Sequence, residues 1–331
     1  MINRVQTAAL PTSPPQRPLS RSIQKKSSSG IGDAIFKNLT LVFALSILVI
    51  MAAIAWQLIK NSGLARHAFG WAFLGRQIWD PVAEQFGALP FIYGTLLSSL
   101  IALAIAVPLG IGVAIFLSEL APPKVSETCA FLIELLAAIP SVVYGLIGVF
   151  VLVPWMRVHL QPFLIKTLGF LPFFKGPAYG VGLLTAGIVL AIMIIPFITT
   201  ISREVFMAVP RPMKEAAMAL GATHWEVVRL VILPYARSGI IGSVFLAMGR
   251  ALGETMAVTM VIGNVPKISI SWLAPSYTMA AVLANEFTEA TSDLYVHALI
   301  EIGLVLFGIT ILVNGLGRLV LLRMKTGPVA Q

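Results

Sequence analysis

Two charged residues stand close together inside an otherwise apolar segment. The segment SGIIGSVFLAMGRALGETMAVTMVI, residues 238–262, contains Arg250 near its middle and Glu254 four residues later. On a continuous helix this spacing places both side chains on one face, where they can pair. In mid-membrane an arginine costs about 2.5–3.5 kcal/mol on insertion scales, so we expect Arg250 to face protein or water rather than lipid. The pair is either a structural ion pair or, together with Thr255, part of a path for an anion.

A second carboxylate lies in the segment IELLAAIPSVVYG, residues 133–145, where Glu134 is followed by Pro140 and Ser141. Proline removes a backbone hydrogen bond and frees a carbonyl, which a membrane helix tolerates when neighbours or water satisfy it. Glu134 and Ser141 are therefore candidate pathway residues, with a structural role as the alternative. Glu301 is a weaker candidate, because it lies where its side chain can reach the membrane interface.

The composition indicates an integral membrane protein. The chain has 331 residues, of which 58% are hydrophobic and 11% charged, and its mean hydropathy is +0.91. A soluble domain has a much larger charged fraction on its surface. The formal net charge of +9 does not indicate nucleic acid, because the basic residues are spread among loops, where membrane topology explains them. The single cysteine, Cys129, cannot form an intrachain disulfide.

Six runs of about 20 or more mostly apolar residues are long enough to cross the hydrocarbon core as helices. They lie near residues 38–59, 92–118, 129–153, 179–201, 238–262 and 295–321. The sequence therefore predicts an all-α polytopic membrane protein with six transmembrane helices.

The distribution of Lys and Arg predicts the orientation. With the N-terminus inside, the cytoplasmic segments hold fifteen of these residues and the outer loops seven. This excess favours cytoplasmic positions for both termini. Residues 1–34 are rich in Pro, Ser and basic residues and are predicted to form a disordered cytoplasmic tail. Residues 323–331 are predicted to form a second cytoplasmic segment.

The polar stretch RPMKEAAMALGATHWEVVRLVILP, residues 211–234, separates two of these spans. Pro212 suits the entrance of a helix, and Glu215 is predicted to lie in its first turn, where the helix dipole favours a carboxylate. Gly221 can end this helix, since glycine adopts left-handed backbone angles without steric cost. The stretch contains no nucleophile with a base and no metal-ligand spacing, so neither catalytic residues nor a metal site is predicted.

A second short helix is predicted to follow this turn. Thr223 and Glu226 have the spacing of a capping box, and Pro234 is expected to terminate or kink the helix. A polar helix–turn–helix between two spans is either a docking element for another protein or an amphipathic surface loop with no partner.

Residues 215–234 resemble the EAA loop in the membrane subunits of ATP-binding-cassette (ABC) importers, although Val231 stands where isoleucine is more usual. The matching positions are Glu215, Ala216, Ala217, Gly221, Leu233 and Pro234. The resemblance implies a type I ABC importer permease fold, in which this loop couples the membrane subunit to an ATPase.

Two further stretches resemble the phosphate-transport permeases of the PstC family, namely IELLAAIPSVVYGLIG at 133–148 and GRALGETMAVTMVIGN at 249–264. The resemblance runs from about residue 90 to the C-terminus. It divides the chain into a first helix and outer loop over 35–91 and a permease core over 92–322, whose coupling loop covers 202–237.

The resemblance also implies a function and a set of partners. It implies a bacterial inner-membrane permease that forms half of a phosphate path by alternating access, with Arg250 as a transient phosphate site and Glu254 neutralising it when phosphate is absent. The implied partners are a PstA-like permease in a heterodimer, a PstB-like ATPase dimer and a periplasmic phosphate-binding protein, besides membrane lipid. The chain has no G-x-x-x-x-G-K phosphate loop, so ATP-Mg is expected on the ATPase, with no enzymatic activity or cofactor in this chain.

Three alternatives remain open at this stage. The cargo can be another oxyanion, such as sulphate or molybdate, because Arg–Glu chemistry does not separate these anions. An ion-gradient-driven carrier can use Glu134 and Glu254 as a proton relay. A non-transporting scaffold or sensor is a third alternative, which the position of Arg250 inside a span disfavours.

Overall fold

The computed structural model describes residues 30–325, and within this range the regular structure is helical, with two isolated β-bridges and no strand. The chain divides into two compact units between Ala52 and Ala53, a boundary that falls inside the first helix. The α-helices are α1 (Gly30–Asn61), α2 (Gly63–Phe69), α3 (Ala72–Gly75), α4 (Leu89–Ile115), α5 (Pro123–Ala137), α6 (Ser141–Ile147), α7 (Val153–Trp155), α8 (Gln161–Leu168), α9 (Leu183–Met207), α10 (Arg211–Ala219), α11 (His224–Val227), α12 (Leu233–Leu252), α13 (Met256–Val261), α14 (Met279–Glu286) and α15 (Asp293–Lys325). Several of these are joined without interruption by single π-helical turns.

Six helical stretches between residues 30 and 325 are long and apolar enough to cross a membrane, which confirms the predicted number of spans. Their bounds are Gly32–Asn61, Leu89–Leu120, Ser141–Leu168, Leu183–Met207, His224–Leu252 and Asp293–Arg323. The agreement follows from hydropathy alone, since an apolar helix of this length satisfies all its backbone groups internally.

The centre of the second unit is formed by α4 and α9, which pack closely along their length. Small residues allow this approach: a Cβ atom at Gly187 of α9 would collide with Ile101 of α4. Thr199 Oγ1 also donates a hydrogen bond of 3.2 Å to the carbonyl of Gly110 across the same contact. Around this pair lies a continuous apolar core to which α12 and α13 also contribute.

The third and fifth predicted spans are both interrupted. The run 129–153 crosses the break between α5 and α6, where Pro140 stands, and the run 238–262 crosses the break between α12 and α13. An average of hydropathy over a whole span does not detect these breaks, because most residues in both runs are apolar.

At the end of the spans opposite the 211–234 loop, Glu286 of α14 ties several elements together. Trp79 Nε1 and Tyr295 Oη donate hydrogen bonds of 2.7 and 2.6 Å to Glu286 Oε2. Asn285 Nδ2 donates to Tyr277 Oη at 3.0 Å, and burial raises the pKa of the Tyr277 phenol above its usual range. Hydrogen bonds between aromatic and polar side chains therefore hold the elements at this end of the bundle together.

The predicted terminal tails lie mostly outside the described residues, at 1–29 and 326–331. Where they overlap the described range, residues 30–34 form the first turns of α1 instead of a disordered tail, and residues 323–325 are the last residues of α15. Helices α1 and α15 thus extend beyond the apolar runs predicted at 38–59 and 295–321.

Candidate functional site

The break between α12 and α13 determines how Arg250 and Glu254 are placed. Helix α12 ends at Leu252, two residues after Arg250, and Gly253 follows as its C-cap. Glu254 Oε1 accepts a hydrogen bond of 3.2 Å from the backbone N–H of Ala257 in the first turn of α13. Within residues 30–325, Arg250 and Glu254 form no ion pair. The predicted pairing on one helix face was therefore wrong, because the helix ends between them and Glu254 caps the next one.

The Thr255 hydroxyl also forms a hydrogen bond within the segment between α12 and α13. Its Oγ1 donates to the Gly253 carbonyl at 3.3 Å, and its own carbonyl accepts a 2.7 Å hydrogen bond from Thr259 Oγ1. Asn264 Nδ2 then donates to the Thr259 carbonyl at 2.9 Å. These side chains satisfy backbone groups along α13, so the structure places Thr255 beside the break rather than in contact with Arg250.

The break between α5 and α6 confirms that Pro140 frees a carbonyl. Proline lacks an N–H, so the Leu136 carbonyl, four residues earlier, has lost its normal helical donor. Tyr144 Oη donates a hydrogen bond of 2.7 Å to this carbonyl. Tyr144 was not a predicted site residue. The sequence does contain a signal for it. Pro140 removes the usual helical donor to the Leu136 carbonyl, and Tyr144 carries a hydroxyl eight residues after Leu136.

The two breaks lie side by side. Helices α6 and α13 pack directly on one another, and a Cβ atom at Gly145 would collide with the Met260 side chain. The Arg250 charge is close enough to the Tyr144 phenol to act on it electrostatically. The structure therefore packs the two interrupted segments against one another, with Tyr144 beside one break and Arg250, more than 100 positions later, beside the other.

Two other predicted pathway residues are not part of this contact. Glu134 is exposed on α5, and Ser141 is half-buried at the start of α6. Within the described range, neither side chain hydrogen-bonds to Arg250. Their roles stay predictions, as do those of Arg250, Glu254 and Thr255.

The 211–234 loop has the predicted helix–glycine–helix form. Gly221 has a φ of +89°, in the left-handed region, and its N–H donates 2.9 Å to the Met218 carbonyl. Thr223 and Glu226 form both hydrogen bonds of a capping box, which opens α11. These three residues confirm the turn that their types predict.

Two details of the loop differ from expectation. Glu215 is the fifth residue of α10 and lies beyond its first turn, which starts at Arg211. Pro234 terminates nothing: a π-helical turn over Val228–Ile232 joins α11 to α12, and Pro234 lies in the first turn of α12, where no helical N–H is needed. Consequently, the second helix of the loop is continuous with the fifth span.

The loop is fastened to the bundle by packing and by one ion pair. Residues Phe206, Val209, Val227, Val228 and Ile232 share a buried apolar cluster with the end of α4. Lys214 Nζ lies 2.6 Å from Glu119 Oε1, with the two side chains only 18% and 15% exposed. This pair joins α10 to the π-helical turn that ends the second span. The sequence analysis missed it, because no local spacing connects residues 95 positions apart.

Comparison with known proteins identifies the class to which this geometry belongs. A family described as binding-protein-dependent transport system inner membrane component matches residues 106–326, well over half of the chain. The chain belongs to this family. It is thus a multi-pass component of an inner-membrane transport system, and the region that matches includes both helix breaks and the 211–234 loop.

Curated relatives of this inner membrane component extend the match. The phosphate transport system permease protein PstC of Mesorhizobium japonicum is 50% identical over 301 residues, covering 89% of this chain and 92% of the relative. The protein of the same name from Haemophilus influenzae is 51% identical over 297 residues, covering 88% and 94%. The resemblance noted in the stretches 133–148 and 249–264 is therefore confirmed over most of the chain.

Solved structures agree on the fold of this inner membrane component. A chain of the bacterial alginate ABC transporter, solved with its periplasmic protein, superposes with a TM-score of 0.58 at 13% identity, covering 90% of this chain and 99% of that one. A second alginate importer structure gives 0.52 at 17% identity, covering 86% and 98%. The predicted all-α permease fold of ABC importers is confirmed.

The loop of this inner membrane component presents apolar side chains that nothing within residues 30–325 covers. Leu220, beside Gly221, is 90% exposed, and Trp225 of α11 is 64% exposed. Met213 and Met218 of α10 are exposed as well. Together with Glu215 and Ala216, also exposed, they form a compact surface at the end of the loop. We call these six residues the loop tip.

Proposed function

We propose that this permease imports inorganic phosphate as one half of a translocation path driven by ATP. The observation that carries the proposal is an arginine at an interrupted span that has no ion-pair partner among residues 30–325. The chain is also about half identical to phosphate permeases over 88–89% of its length. A guanidinium offers a planar fork of N–H donors that matches phosphate oxygens. The helix break beside it gives the site a hinge.

Arg250 and Tyr144 define the cargo site in this proposal. Phosphate passing the two breaks meets the Arg250 guanidinium, while Tyr144 holds the neighbouring break in shape through the Leu136 carbonyl. Glu254 is held by the Ala257 N–H instead of neutralising Arg250 in this conformation, which revises the role expected of it. One arginine makes a weak anion site, and transport needs binding that is weak enough to allow release.

The partners follow the same logic. A binding-protein-dependent system supplies its cargo from a binding protein, here a periplasmic phosphate-binding protein, and this chain pairs with a PstA-like permease to complete the path. The ATP-Mg is bound by a PstB-like ATPase dimer, against which the loop tip docks. This places the loop and both termini on the cytoplasmic side, in keeping with the excess of Lys and Arg there.

Force from the ATPase reaches the cargo site through two connections. The stretch His224–Leu252 is helical without interruption, so movement of α11 is transmitted over about 39 Å to Arg250, at 1.5 Å per residue. The Lys214–Glu119 pair carries movement of α10 to the end of the second span. Closure of the ATPase dimer thus tilts the spans and opens the path alternately to each side.

Replacing Arg250 with Gln tests the proposal. The change keeps the length of the side chain and removes its charge, so phosphate uptake by cells should fall by at least about tenfold, the effect of losing one charge-assisted contact. Co-purification of the ATPase should be unchanged. Arg237→Gln is the matched control, since Arg237 is an exposed arginine on the same helix. Normal uptake by the Arg250 variant would contradict the proposed site.

The runner-up cargo is another oxyanion. Sulphate and molybdate share the charge and size class that a lone arginine recognises, and the identity of the relatives is what favours phosphate. Competition separates them: excess sulphate or molybdate should leave the uptake of labelled phosphate unchanged, and strong inhibition by either would favour the alternative.

A further inference from the structure

A cavity lies at the end of the bundle opposite the 211–234 loop, where α2 and α3 pack near α15. Its volume is about 540 Å³, and its walls are formed mainly by apolar side chains from the end of α1, from α3 and from α15. Ile59, Leu74, Leu304 and Val305 supply this apolar surface. Two charged residues, Arg66 and Glu301, also line it. A mainly apolar cavity that also has one cationic and one anionic side chain in its wall fits an amphipathic zwitterion.

Glu301 is the unusual member of this lining. It is only 6% exposed, and its Oε2 is buried with no hydrogen-bond partner within the described part of the chain. A buried carboxylate without a partner costs several kcal/mol, so native proteins normally supply a cation or a donor. Glu301 also lines the cavity, so the part of its carboxyl group that faces the cavity can receive a cation from a molecule bound there.

Arg66 is positioned to hold the opposite charge. Its Nη2 donates to the Ile59 carbonyl at the end of α1, which fixes the guanidinium at the cavity wall and leaves four of its five N–H donors for other partners. The Arg66 charge acts electrostatically on Glu301, yet the two side chains form no direct ion pair. A ligand can therefore bridge them, with its anion on Arg66 and its cation on Glu301.

The depth of the cavity matches the membrane interface. Glu301 lies eight residues after the start of α15, about 12 Å along the helix axis, and Ile59 is two residues before the end of α1. Trp71, on the rim, is 89% exposed and of the type enriched at the headgroup level. Such a position is open to membrane lipid from the side.

We propose that this cavity binds one glycerophospholipid with a primary ammonium headgroup, whose phosphate contacts Arg66 and whose ammonium donates to Glu301. The ammonium places a cation beside the Glu301 carboxyl group, and the guanidinium binds the phosphate oxygens. The first carbons of the acyl chains lie against Ile59, Leu304 and Val305. An inorganic phosphate ion would leave these apolar walls and Glu301 unsatisfied.

Lipid retention tests the proposal. The permease, purified in its assembled complex, is reconstituted in bilayers with equal amounts of phosphatidylethanolamine, phosphatidylglycerol and phosphatidylcholine, then extracted mildly and examined by native mass spectrometry. The ethanolamine lipid should be retained about tenfold over the other two, the effect of one hydrogen bond to a charged group. Equal retention of the three lipids, or of the ethanolamine and choline lipids, would overturn the assignment.

Variants then separate the two ends of the headgroup. Glu301→Gln, which is isosteric, should remove the preference for ethanolamine while one phospholipid is still retained. Arg66→Gln should lose retention of every phospholipid, and Arg66→Lys should restore it. Glu289→Gln and Lys60→Ala are matched controls, since both residues are exposed and neither lines the cavity. An unchanged preference in Glu301→Gln, or displacement of the lipid by millimolar inorganic phosphate, would contradict the proposal.

Discussion

Arg250 stands two residues before the end of α12, and its guanidinium has no ion-pair partner within residues 30–325. A cation in this position must be stabilised by water, by a neighbouring dipole or by a passing anion. Tyr144, from another span, is within electrostatic reach of this charge, and its hydroxyl already donates to the Leu136 carbonyl. In the proposed function, this leaves Arg250 available to the cargo.

The Tyr144 hydroxyl is testable by a single-atom deletion. Tyr144→Phe removes the 2.7 Å hydrogen bond to the Leu136 carbonyl, which keeps only a 3.3 Å hydrogen bond from the Ile139 N–H. Stability should fall by about 1 kcal/mol, the usual net contribution of one hydrogen bond. A lower melting temperature and slower phosphate uptake should both follow. Tyr235→Phe is the control, because Tyr235 is exposed on α12 and forms no side-chain hydrogen bond within the described range. A melting temperature equal to that of the control would show that the carbonyl is satisfied by other means.

The residue types near Arg250 were readable from the sequence, whereas their contacts were not. Charges in an apolar run identify Arg250 and Glu254 without a structure. Their i, i+4 pairing failed, because Gly253 ends the helix and the free N–H groups of α13 attract the Glu254 carboxylate. Tyr144 was missed, because its hydrogen bond to the Leu136 carbonyl depends on how the chain turns at Pro140.

The 211–234 loop combines a flexible joint with a rigid arm. Gly221 gives the joint between α10 and α11, while His224–Leu252 forms one uninterrupted helix from the loop to the cargo site. The loop was predicted well because its signals are local: a left-handed glycine and a capping box each depend on neighbours within four residues. The Lys214–Glu119 pair depends on tertiary packing and was not predictable in this way.

The role of Gly221 can be tested by a substitution to which the only obstacle is the backbone conformation at this position. A Cβ at Gly221 meets no atom, so Gly221→Ala acts through the left-handed φ alone, at about 1–2 kcal/mol. The turn should shift, and phosphate uptake should fall several-fold while ATP hydrolysis by the assembled complex continues. Gly242→Ala is the matched control, because Gly242 has equal space within a regular helix. Coupled transport in the Gly221 variant at the control level would contradict the docking role of the loop.

Within residues 53–325, the features described above lie at different levels along the helices. The loop tip lies at one end, the two helix breaks with Arg250 lie between, and the hydrogen bonds of Glu286 and the Arg66–Glu301 cavity lie at the other end. The number of spans was predictable because hydropathy reports on the whole bilayer thickness. The cavity was not, since it arises from residues of α1, α2, α3 and α15, which are far apart in sequence.

The division of labour also explains why the chain alone is not expected to transport. It carries no phosphate-binding loop for ATP, and the apolar loop tip, which the proposed function docks on an ATPase, is exposed within residues 30–325. Transport should therefore require ATP on the side of the loop and should not respond to an ion gradient, which distinguishes the importer from a carrier relaying protons through Glu134 and Glu254.

The most direct test is uptake of labelled phosphate into vesicles that hold this chain with its candidate permease, ATPase and binding-protein partners. The ATPase and ATP are placed on the loop side, the binding protein and phosphate on the other. Phosphate should accumulate only with ATP and the binding protein present, should continue when a protonophore collapses the proton gradient, and should be lost in Arg250→Gln. Accumulation that needs the proton gradient and proceeds without ATP would contradict the account.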